Sequence, residues 1–194
     1  MNRDNIRRLL GEAAKLTQHR DYVIIGSLSV LGTVASPPET MVFSIDIDLY
    51  LKNDPNRTAE IASQLGLGSD FEQSHGYYAD VVSPMLPTLP DGWDARLVRL
   101  EFENGVTGWF LEPNDAAISK YVRAEPRDRE WIWAGLEAGI LSAAVIEYRM
   151  RETSMETDER ERAKRAFEED QARLAGKNPG KSREKPPPAN QDGA

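Results

Sequence analysis

The segment Ser44-Ile45-Asp46-Ile47-Asp48-Leu49-Tyr50 constrains this chain more than any other. Acidic and apolar residues alternate along it. An extended strand therefore puts Ile45, Ile47 and Leu49 on one face and Asp46 with Asp48 on the other. Two like charges side by side on a strand repel by roughly 0.2–1 kcal/mol in water, and by more when dry. A solvated sheet face is the plain explanation of such a pair. The apolar neighbours favour a site in which a cation sits between the acids, most naturally magnesium carrying a nucleoside triphosphate.

A second strand signal precedes the first. Val23-Ile24-Ile25 runs into Gly26-Ser27, and residues 28–45 separate that corner from Asp46. Glycine lets the backbone approach a phosphate closely, and a helix opening after it offers N–H donors and a positive dipole end. Ser27 is a natural cap for that helix, which the pattern carries to about Val34. Taken alone, Gly-Ser is more often a plain strand-to-helix turn.

The rest of the pattern sets the fold class. Ile6, Leu9, Leu10, Ala13 and Leu16 recur at helical spacing over residues 5–16. Strands are expected at 22–25, 42–51 and 77–82, with a helix over 56–65. Residues 97–102 and 106–111 form a hairpin about Asn104-Gly105. Pro113-Asn114-Asp115 opens a helix to Arg123, and a helix pair follows over 128–139 and 142–155. This order predicts an α/β (α+β) fold, a small mixed sheet flanked by helices, with further helices at the C-terminal side.

Charge divides the chain. Residues 1–150 hold fourteen Lys/Arg against twenty-two Asp/Glu, whereas residues 151–194 hold ten of each. The expected domain is therefore 1–155. Residues 156–194 read as a charged, largely disordered tail, with a solvated helix allowed over 158–175 and disorder expected from Lys177 through Pro186-Pro187-Pro188. An acidic body is a poor match for a nucleic-acid backbone, so tight nucleic-acid binding is not expected; the one small basic patch lies around Lys120–Arg129. The chain has no cysteine, no apolar run of membrane-spanning length and no signal-peptide pattern, so the expectation is a soluble cytoplasmic protein.

Ile25-Gly26-Ser27, a helix and then Asp46-Ile47-Asp48 resemble the signature of the nucleotidyltransferase superfamily with the DNA-polymerase-beta-like fold. A wider resemblance covers about residues 1–150. It runs through His75-Gly76-Tyr77-Tyr78-Ala79-Asp80, Leu89-Pro90-Asp91-Gly92-Trp93, Leu111-Glu112-Pro113-Asn114-Asp115 to Lys120, and Arg127-Asp128-Arg129-Glu130. These segments look like a bacterial nucleotidyltransferase-like group related to the abortive-infection toxin–antitoxin nucleotidyltransferases.

The resemblance implies transfer of a nucleoside monophosphate from a triphosphate to an acceptor hydroxyl. It implies that Gly26 and Ser27 cradle phosphate, that Asp46 and Asp48 hold Mg2+, and that Asp80 is the third ligand or base, with Glu101 its rival. Lys120 would neutralise triphosphate charge, or form a surface pair with Asp128 or Glu130. Arg127 with Asp128 would orient the helix pair. The acceptor is open, a protein or a small molecule being favoured, and a protein partner is allowed for. No Lys or Arg stands between Asp21 and Leu51, and the spacer to Asp46 is long. Both departures weigh against catalysis, and the first supports an alternative, a non-catalytic regulatory or binding module on the same fold, for example one half of a toxin–antitoxin pair. His75 reads as structural, Asp115 as an early helix residue favoured by the dipole, and Trp93, Trp109, Trp131 and Trp133 as packing residues.

Overall fold

The computed structural model describes residues 1–177. Helix α1 (Arg3–Thr17) starts at a capping box between Asn2 and Asn5, three residues before Ile6 opens its apolar stripe, and buries Ile6, Leu9, Leu10 and Ala13. Strand β1 (Asp21–Ile24) leads into a 3-10 turn at Ser27–Ser29 and a short helix α2 (Val30–Thr33). Helix α3 (Glu39–Val42) precedes β2 (Asp46–Leu51). Then come α4 (Ala59–Leu65), α5 (Asp70–His75) and β3 (Tyr78–Val81). A 3-10 turn at Trp93–Arg96 leads to β4 (Val98–Glu101) and β5 (Thr107–Phe110). Four helices complete the described chain: α6 (Pro113–Arg123), α7 (Pro126–Glu137), α8 (Ala143–Arg151) and α9 (Thr157–Lys177).

The five strands form one mixed sheet in the order β3-β2-β1-β5-β4. β1 pairs antiparallel with β2 and parallel with β5, while β2 pairs parallel with β3. The β4–β5 hairpin turns at Asn104-Gly105, with Gly105 at φ 74°, as its sequence predicts. Helices α1 and α4 pack together on one side, and α6 packs against α7, α8 and α9. The small mixed sheet with flanking helices and helical C-terminal side matches the expected fold class.

Three local differences have physical causes. Strand β2 starts at Asp46 and not at 42, because Glu39–Val42 coil into a helical turn after Pro38 that drops Met41 into the core. Helix α5, where no element is expected, is closed by a Ser69 side-chain cap at one end and by Gly76 at φ 74° at the other.

The third concerns the expected tail. Its first part, α9, lies on α6 and buries Ala163, Ala166 and Phe167. Asp170 there accepts from Tyr121 Oη at 2.9 Å and from Arg129 Nη2 at 2.8 Å. Residues 178–194 lie outside the described residues.

The packing role expected for the tryptophans is met at three positions. Trp131 Nε1 donates to Ser27 O (3.1 Å) and Met41 O (3.0 Å), Trp109 Nε1 donates to Asp21 (2.8 Å), and Trp133 is covered by Arg173.

Candidate active site

Strand register assembles the acids. β1 and β2 run antiparallel, with Ile24 opposite Leu49, so the chain leaving β1 passes beside Asp48; Ile25 N donates to Asp48 O at 3.0 Å. β2 and β3 run parallel with Asp48 opposite Asp80. Ligand atoms of Asp46, Asp48 and Asp80 lie within 4.8 Å of one another. Glu101 lies on β4, at the other edge of the sheet, and pairs with Arg99 at 2.8 Å. Of the two candidates for a third acid, Asp80 is thus the one beside Asp46 and Asp48.

Gly26 is where the corner meets the acids. Its backbone sits at φ 67°, ψ −156°, a region open almost only to glycine. A Cβ built there would lie 1.8 Å from Asp48 Oδ2. The residue after it, Ser27, opens a 3-10 turn rather than a full helix, and Ser29 Oγ donates back to Gly26 O at 2.8 Å. The corner is therefore a tight turn pressed against a carboxylate.

Lys120 reaches the corner from α6, as the resemblance requires, but as a buried group. Only 2% of its surface is exposed, and Nζ donates to Ser27 Oγ at 2.9 Å and to Asp128 Oδ1 at 3.0 Å. The pair with Asp128 is thus buried and not a surface pair. Nζ also sits 4.9 Å from the centre of the Trp131 ring. Burial pulls the Lys120 ammonium below its usual range, against the opposing pull of Asp128. Ser27 Oγ accepts one hydrogen bond from Lys120, which leaves its own proton available to an anion.

Arg123 is not among the residues expected at the site. Its guanidinium grips Asp128 with two donors, at 3.0 and 2.7 Å, yet 53% of its side chain stays in solvent. That fork and the Lys120 ammonium hold the Asp128 carboxyl below the usual range despite burial. Arg127, expected to orient the helix pair with Asp128, is exposed and has no carboxylate partner among the described residues. Arg123 and Arg127 both line an open cleft of about 570 Å³ that also contains Ser27, Asp46 and Asp48. The orienting role falls instead to Lys120, Arg123 and Asp128. Asp115, expected to be a helix-start residue, is fully buried between Arg96 (2.8 Å) and Arg149 (2.8 Å) and ties α6 to α8 and to the turn before β4.

The electrostatics mark Asp48 out. Burial pushes its carboxyl up, Asp46 and Asp80 push it further, and Lys120 and Arg123 only partly oppose them, so it titrates at about 7. Asp80 is raised by burial and then by Asp46. Ser44 Oγ donates to Asp46 and fixes that carboxylate. Three hard oxygen donors, crowded and short of counter-charge, fit a magnesium ion, which takes one or two carboxylates together with phosphate oxygens.

A family model described as "Nucleotidyltransferase of unknown function (DUF6036)" matches residues 4–174, from the first turn of α1 into the last turns of α9. No curated protein and no solved structure matches the chain. No helix among the described residues is long and apolar enough to cross a membrane.

Proposed function

We propose that this chain, which belongs to the nucleotidyltransferase family matched over residues 4–174, transfers a nucleoside monophosphate from a magnesium-bound triphosphate to an acceptor hydroxyl. The observation that carries this reading is the meeting of Asp46, Asp48 and Asp80 within 4.8 Å, with Gly26 packed against Asp48. That meeting supports the reading, because the resemblance to the polymerase-beta-like nucleotidyltransferases implies such a set of acids beside a Gly-Ser corner.

In this reading Asp46 and Asp48 hold the metal and Asp80 completes the set. Magnesium, when bound, neutralises phosphate charge and polarises the attacking hydroxyl. Ser27 donates its hydroxyl proton to a phosphate oxygen, and Lys120 holds Ser27 in place rather than touching the substrate. Arg123 and Arg127 supply the exposed positive charge along the triphosphate. They answer the lack of any Lys or Arg near Gly26-Ser27 in sequence. The chain's contribution is positioning and fixed electrostatics, which govern phosphoryl transfer generally.

The test is incubation of the purified chain with each α-labelled nucleoside triphosphate, magnesium and cell extract. Label moving to an acceptor, and lost in Asp46→Ala, supports the reading. Metal-dependent binding of triphosphate with no transfer marks the chain as a regulatory module. Neither binding nor transfer ends both.

A further inference from the structure

Seven large apolar side chains are exposed among the described residues, and three of them, Phe43, Ile45 and Leu86, border clefts that contain the acids. A fourth, Met85, adjoins Leu86 and has 89% of its surface in solvent. Phe43 and Ile45 line a cleft of about 500 Å³ together with Asp46. Leu86 lines a smaller one of about 210 Å³ together with Gly26 and Asp48. Single exposed apolar residues need no explanation, but a group of them around a reactive centre marks a contact surface. Tyr77 lines the larger cleft, and its hydroxyl is the one buried side-chain polar atom among the described residues that has no hydrogen-bond partner.

The adjoining triphosphate cleft is net negative: Arg123 and Arg127 stand against Glu39, Asp46, Asp48, Glu125, Asp128 and Glu130. Glu39, Glu125 and Glu130 are exposed beside the triphosphate cleft, and none has a cationic partner among the described residues. With Arg123 and Arg127 engaged by the triphosphate, an acceptor meets the unpaired glutamates, which repel a polyanion. A small molecule held at the acids would leave Met85, which lines neither cleft, uncovered.

We propose that the acceptor is a serine, threonine or tyrosine hydroxyl of a partner protein. Its segment carries apolar residues that seat against Phe43, Ile45, Met85 and Leu86, and basic residues that meet Glu39, Glu125 and Glu130. The proposal rests on the transfer reading above and narrows its acceptor. The hydroxyl oxygen forms a bond to the α-phosphorus, the bond from that phosphorus to the bridging oxygen breaks, and pyrophosphate leaves. The hydroxyl proton passes to Asp80, the most exposed of the three acids. The product is a phosphodiester on the partner, with no change of oxidation state.

The experiment uses the full chain, magnesium and α-labelled triphosphates against three portions of cell extract: nuclease-treated and desalted protein, purified RNA, and an ultrafiltrate of small molecules. The expected label is protease-sensitive and confined to the protein portion. In the triple variant Ile45→Ser, Met85→Ser, Leu86→Ser, transfer to protein should fall at least tenfold, while magnesium–triphosphate affinity changes less than twofold. All three side chains are exposed, so folding is retained. Label on RNA or in the ultrafiltrate overturns the acceptor class and leaves the transfer reading standing. Protein labelling that the triple variant leaves unchanged overturns the apolar seat on Ile45, Met85 and Leu86, and with it the docking proposal. No label anywhere, with triphosphate still bound, overturns both.

Discussion

Gly26 and Asp48 are packed so closely that a single methyl group cannot be placed between them: a Cβ on Gly26 would lie 1.8 Å from Asp48 Oδ2. Gly26→Ala must therefore strain a backbone region open almost only to glycine and also displace the carboxylate. The expected cost is about 2–4 kcal/mol of folding stability by denaturant titration, together with loss of magnesium binding. A wild-type midpoint with intact magnesium binding would show that the corner does not need glycine.

Asp48 should make both stability and metal binding depend on pH. Its folded pKa of about 7 lies above the unfolded carboxylate value. The folded state therefore binds the proton more tightly. Without metal, this group's contribution to stability is full below about pH 4 and is lost as pH rises through 7. Asp48→Asn should then stabilise the metal-free protein by about 1–3 kcal/mol at pH 8 while abolishing magnesium binding. In the wild type, magnesium affinity should climb as pH rises through 7, read by calorimetry at several pH values. A flat profile would place the titrating group elsewhere.

Lys120 and Arg123 should separate stability from binding. Lys120→Met leaves Ser27 unheld and removes one partner of the buried Asp128, so unfolding free energy should fall by about 2–4 kcal/mol. Arg123→Gln leaves Lys120 on Asp128 and alters a half-exposed side chain. It should cost about 1–2 kcal/mol in stability, less than Lys120→Met, yet weaken triphosphate binding about tenfold. Equal losses of both quantities in both variants would contradict the division of roles.

Helix α9 should be part of the folded unit. A chain ending at residue 155 would expose the seat of Phe167 on α6 and leave Tyr121 Oη and Arg129 without Asp170. It should lose cooperative thermal unfolding or precipitate. Asp170→Ala in the full chain should lower stability by about 1–3 kcal/mol. A truncated chain that melts as sharply as the full one would restore residues 156–194 to the role of a tail.

These expectations differ in how far the sequence foreshadowed them. Asp46, Asp48 and Gly26-Ser27 were legible because alternation and turn chemistry are local, and the sheet register only had to bring them together. Lys120 was nameable, but its burial was not, since that depends on α7 folding back to offer Asp128 eight residues later. Arg123 carried no local signal, because a basic residue in a last helical turn is ordinary. Helix α9 was hidden by composition. Its buried stripe is Ala163, Ala166, Phe167 and Asp170, too small and polar to register as an apolar face until Tyr121 and Arg129 meet the acid.

The most direct measurement is a calorimetric titration of the full chain with a non-hydrolysable triphosphate analogue, with and without magnesium, in the wild type and in Asp46→Ala. Binding that requires both the metal and Asp46 is expected, and at about 100 times the dissociation constant it should add roughly 2.7 kcal/mol to stability. Equal affinity without magnesium, or in Asp46→Ala, would contradict a cation shared between the paired aspartates and the phosphates.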